Sequence, residues 1–146
     1  MSKNAKEYLT GIILGLLIGA LFFAKLAFGA ELTEEDKELI CKTVQAEAGN
    51  QDLQGKRLVA AVIINRVDSP VFPNTTEDVL SQKNQFSTYN LLNSTTPTWQ
   101  DRLAVEMETE TRSNTEVFFF RTGRYGTGTP MFVHGDHYFS GLDDKK

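Results

Sequence analysis

Hydrophobic positions along the chain change period twice. The first thirty residues carry an apolar run, Gly11 to Ala24, broken by Lys25 and resumed by Leu26 to Ala30, with no amphipathic face. From Glu31 onward the apolar residues recur at helical spacing. Leu39, Ile40, Thr43, Val44 and Glu47 fall on one face. Thr33 caps this helix, Glu34, Glu35 and Asp36 suit its positive end, and Gly49-Asn50 stops it. A second helix is expected from Asp52 to Val67. Leu58, Ala61, Val62 and Asn65 form its stripe, and Val59, Ile63, Ile64 and Val67 widen it. A helix apolar around most of its circumference belongs in the core. The period shortens late in the chain, where Glu116 to Arg121 encloses three phenylalanines and predicts a strand.

The stretches between fill in the order. Ser69 to Asn74 is a turn by its prolines, and Thr76 to Ser81 a short helix capped by Thr75 or Thr76. Lys83 to Asn90 interleaves polar residues with Phe86 and Tyr89. It fits an extended segment lining a groove for a polar ligand such as a sugar; equally, Phe86 fits a core aromatic and Gln85 a loop residue. Thr96-Pro97 reads as cap and first helical position of a third long helix reaching Arg112, with Glu106, Glu108 and Glu110 as its solvated face. Met131 to Val133 and His137 to Ser140 are short strands, and Gly141 to Lys146 a frayed tail. The fold class is therefore α+β, mainly helical with a small antiparallel β element.

The N-terminal run adds a destination. Lys3 and Lys6 ahead of an apolar segment describe a secretory signal, with Ala27 and Gly29 as the small residues before a cleavage point. Gly11 to Ala30 also reaches the roughly 20 residues that span a bilayer, with Lys25 able to snorkel. Signal peptide or retained anchor, either reading exports the remainder. The expected division is residues 1–30 as leader and 31–146 as the working domain, outside the cell or in its envelope, touching the membrane only through an uncleaved leader.

Composition narrows the chemistry. A formal net charge of -4 without a Lys/Arg-rich face argues against nucleic acid. One cysteine, Cys41, allows no intrachain disulfide, and with His134 and His137 it makes a poor zinc set, so no metal is expected. The glycine-rich loop Gly123 to Pro130 lacks phosphate-loop spacing and context, so no nucleotide cofactor is expected. Cys41 as a nucleophile paired with His134 or His137 is disfavoured, because it lies inside the first helix beside Ile40.

Glu47 is the candidate with chemistry. At the end of a helix, among Val44, Ala46 and Ala48, it is either a solvated charge or an acid held in a cleft. Most glycosidases use two carboxylates. The next acid is Asp52, and the intervening Asn50 and Gln51 cannot act as base. One acid suffices where the substrate supplies its own nucleophile. Asn65 and Arg66 read as capping or surface residues, or, for Asn65, as an ordering element of the cleft wall.

Several segments together resemble a known family. Ala46-Glu47-Ala48, Gly55, Val59 to Val67 with its Asn65-Arg66-Val67 ending, Phe72-Pro73-Asn74-Thr75, Gln85-Phe86-Ser87, Val117 to Phe120 and Gly135-Asp136-His137-Tyr138-Phe139 occur in the order seen in the cell-wall hydrolase family of the spore cortex-lytic enzymes. The resemblance covers about residues 40 to 140. It implies a lysozyme-like domain that cuts the glycan strands of peptidoglycan, often as a lytic transglycosylase. By position Glu47 would be the general acid, Gln85 and Ser87 would line the cleft, and His137 would lie near it; with Asn65 of the cleft wall these are the candidate substrate-binding residues. Where the family commonly reads AEARGE, this chain has Ala46-Glu47-Ala48-Gly49-Asn50-Gln51, so Gln51 replaces a glutamate. Plain N-acetylmuramidase hydrolysis, or an inactive exported peptidoglycan-binding module, are the alternatives this leaves.

Overall fold

The computed structural model describes residues 31–143. The expected leader, residues 1–30, and the last three residues lie outside the described part. Within it, no helix is long and apolar enough to cross a membrane.

Helix α1 (Glu34–Ala48) starts as its sequence predicts, with a capping box in which Thr33 and Asp36 bond reciprocally. Helix α2 (Leu53–Asp68) begins at the cap Asp52, whose carboxylate accepts from the Gly55 amide. Twelve of its sixteen residues are buried, because it is sandwiched on two sides. Val59, Ala60, Ile63, Ile64 and Val67 pack with Ile40, Val44 and Ala48 of α1 in a helical core. Leu58, Ala61 and Val62 meet Val117 and Phe139 in a second core against the sheet. The short α3 (Thr76–Ser81), capped by Thr75, and a 3-10 helix (Tyr89–Ser94) close over the helical core.

Helix α4 (Trp99–Glu110) starts two residues later than the Pro97 expected. Thr98, not Thr96, is the cap, because Asp101 at the third helical position completes a capping box. The expectation that Glu108 lies on the solvated face is wrong. The buried face is Asp101, Ala104, Val105 and Glu108, while Trp99 and Leu103 point outward. Both acids are buried with partners: Asp101 with Lys56 at 2.5 Å, Glu108 with Arg57 and the Ser113 amide. A periodicity drawn from residue type alone misses this face, since half of it is charged.

The sheet follows. Strands β1 (Phe119–Thr122), β2 (Thr129–His134) and β3 (His137–Gly141) form an antiparallel sheet of order β1-β3-β2. The mixed architecture matches the expected class. β1 begins three residues later than expected, since Glu116 and Val117 are engaged by the Asn114 side chain instead of a neighbouring strand.

Candidate active site

A groove of about 770 Å³ opens between the helices and the sheet. Glu47 reaches it from the last turn of α1, half-buried, as the helical period required. Thr88 Oγ1 donates to Glu47 Oε1 at 2.6 Å. Glu47 is the only carboxylate among the described residues that line the groove. One of its oxygens is thus fixed by a neutral hydroxyl, and the other remains available to a ligand.

One wall is the segment after α3. It is a series of turns, not the extended strand expected, with Asn84 in the left-handed region at φ 64°. Phe86 is buried in the core, while Gln85 and Ser87 are exposed and line the groove. The opposite elements are β1, through Phe119 to Thr122, and the glycine-rich loop, through Gly126 and Thr127. Phe119 and Phe120, half-buried on β1, give the groove its aromatic surface, with Leu80 and Phe86 buried behind the lining.

Arg66 also lines the groove, although it is only 3% exposed. Its Nε donates to the Phe118 carbonyl at 2.7 Å, and its guanidinium lies 5.1–5.2 Å from the rings of Phe72, Phe86 and Phe119. Burial pushes its pKa down to about 10, so it stays charged near neutrality. The expectation of a capping or surface role for Arg66 is therefore corrected: it sits in an aromatic cage beneath the cleft.

His137 is 3% exposed and packs against Phe120 with the rings tilted, centroids 5.0 Å apart. It lies behind the groove's aromatic surface and is not one of the residues lining it. Burial lowers its pKa from the usual value, with the charges of Glu47 and Asp136 opposing. Asn65 is not at the groove either. Its amide nitrogen donates to the carbonyls of Asn114 and Val117, and its oxygen accepts from Arg112. That fixes the chain entering β1 and fits the wall-ordering reading, not substrate contact. Asp52 is not among the residues lining the groove; it is bonded to the Gly55 amide and to His134 at 2.7 Å.

Gln51 is bound to the β2–β3 turn. Its Nε2 donates to Asp136 and Asn50, and its Oε1 accepts from the Asp136 amide. Cys41 belongs to the helical core, where burial pushes its thiol up to about 11, and it bonds neither histidine. Such a thiol is inert. Sequence reasoning missed Thr88 as the partner of Glu47. Its only signal is adjacency to Gln85-Phe86-Ser87, and nothing local says that it reaches a residue 41 positions away.

A mainly helical domain with a small sheet, an open groove with aromatic surface, and one half-buried carboxylate on it defines a site for an extended polar ligand. A family model described as Cell Wall Hydrolase matches residues 50–140, and the chain belongs to that family. The match begins just after Glu47. The spore cortex-lytic enzyme of Bacillus subtilis (strain 168) is 34% identical over 55 residues, which are 38% of this chain and 18% of that protein. Among solved structures, the catalytic domain of the Bacillus cereus SleB protein superposes with a TM-score of 0.67 at 24% identity, covering 75% of this chain and 92% of that one. The catalytic domain of the germination-specific lytic transglycosylase SleB from Bacillus anthracis gives 0.64 at 23%, covering 75% and 96%. These likenesses establish the fold.

Proposed function

We propose that this domain cleaves the glycan strand of peptidoglycan as a lytic transglycosylase, with Glu47 as the general acid. The observation that carries this reading is the single groove carboxylate fixed on one oxygen by Thr88. Glu47 protonates the glycosidic oxygen as the bond to the muramoyl anomeric carbon breaks. The 6-hydroxyl of the same sugar attacks that carbon, and its proton passes to the Glu47 carboxylate. The acid is regenerated, and the product ends in a 1,6-anhydro ring. No second carboxylate is required, unlike the paired-acid hydrolases. Gln85 and Ser87 hold the strand, and the Phe120 surface, backed by His137, meets sugar faces. The helices-over-sheet groove supports the lysozyme-like description.

The family membership supports cell-wall cleavage, and the name of the Bacillus anthracis relative supports the transglycosylase route. Gln51 does not weigh against activity, because its bonds hold the β2–β3 turn and it does not line the groove. Residues 1–30 are the export segment, signal or anchor, that delivers the domain to the envelope. Mass spectrometry of muropeptides released from purified peptidoglycan tests the mechanism. An anhydro end is expected; a reducing end, heavier by one water, would mean hydrolysis.

A further inference from the structure

The charge of the groove is opposite to that of the chain. The whole sequence has 19 acids against 15 Lys and Arg, yet among the described residues the charged ones lining the groove are Lys83, Arg66 and Arg121 against Glu47 alone. None of the three cations pairs with a carboxylate among the described residues. Lys83 and Arg121 are exposed, one on the turn after α3 and one on β1. Arg66 is buried, its Nη1 has no hydrogen-bond partner, and three rings surround its guanidinium. A buried cation with no counter-ion is costly, and an anion reaching its site relieves that cost.

The N-acetylated sugars of a glycan strand are neutral. Peptidoglycan carries its negative charge on carboxylates: those of the stem peptide, or the lactyl carboxylate where the stem has been removed. We propose that the groove holds a carboxylate subsite, formed by Lys83 and Arg121 with Arg66 beneath, that selects strands bearing free carboxylates. This deepens the cleavage reading and rests on it for the identity of the polymer. Exposed charge contacts of this kind act through modest, salt-sensitive attraction, so selectivity falls as salt rises.

Binding by the full-length Glu47→Gln protein tests the subsite without requiring turnover, so failure of the catalytic reading and failure of this one are separately visible. The probe is amine-acetylated peptidoglycan, with its carboxylates either free or converted to methylamides. The free-carboxylate form should bind about tenfold more tightly, and the advantage should vanish in about 1 M salt. It should also vanish when Lys83→Gln and Arg121→Gln are added, both surface changes that spare the core. Amidase-stripped strands define the source: retained preference means that the subsite also takes the lactyl carboxylate, lost preference that it takes only those of the stem peptide. Equal binding to free and methylamidated strands, or a preference unchanged in the Lys83→Gln/Arg121→Gln protein, would overturn the proposal.

Discussion

At Glu47 two influences of different range meet. The period of α1 turns the carboxylate toward the groove, and that much is legible from Leu39, Ile40, Thr43 and Val44. Its partner Thr88 arrives from a turn whose path depends on tertiary packing, and no spacing rule gives it. Arg66 is similar. Its position near the end of α2 suggests a surface cation, and only the convergence of Phe72, Phe86 and Phe119 makes it a buried one. His137 carries a pH signature. Burial holds its native pKa below the ordinary value, so the unfolded chain takes up a proton first as pH falls. Its stabilising contribution is complete above about pH 6.5 and is lost below that, down to the native pKa. Thermal melts should show wild type losing more stability between about pH 7 and pH 5 than His137→Phe, which keeps a ring packed against Phe120. Parallel pH profiles would contradict the assignment of a buried neutral imidazole.

The helices are the legible elements. Thr33, Asp52 and Thr75 announce their helices through side chains that bond the first free amides, a local effect. The start of α4 was displaced because Thr96-Pro97 is a plausible cap and Thr98 with Asp101 a better one. The β2–β3 hairpin is less legible, since its docking depends on side chains from the α1–α2 corner. Gly135, at φ 54°, makes its two-residue turn with Asp136, and a Cβ there would lie 1.9 Å from Gln51 Oε1. Gly123, at φ 79°, has open space around it. Alanine at either site carries a backbone cost of about 1–2 kcal/mol. Gly135→Ala also displaces Gln51, so denaturant melts should place it clearly below Gly123→Ala. Equal losses would mean that the Gln51 clasp does not hold the hairpin.

At the scale of the molecule, α2 explains the architecture. Its nearly all-round apolar surface predicts a central helix, and it separates a helical core from a sheet core. The groove lies where those two layers meet, so the acid from α1, the turn after α3 and β1 are brought together from distant parts of the chain. Order and class of elements follow from period and caps. The composition of the groove does not, because its cations are scattered through a sequence of net charge -4. The proposed function rests on one acid on this groove cutting the glycan strand. Purified peptidoglycan should be incubated with wild type and with Glu47→Gln, and the soluble muropeptides weighed. Wild type should release products with anhydro ends, and Glu47→Gln none while keeping its circular dichroism spectrum and melting as a folded domain. Undiminished release by Glu47→Gln would rule out Glu47 as the acid.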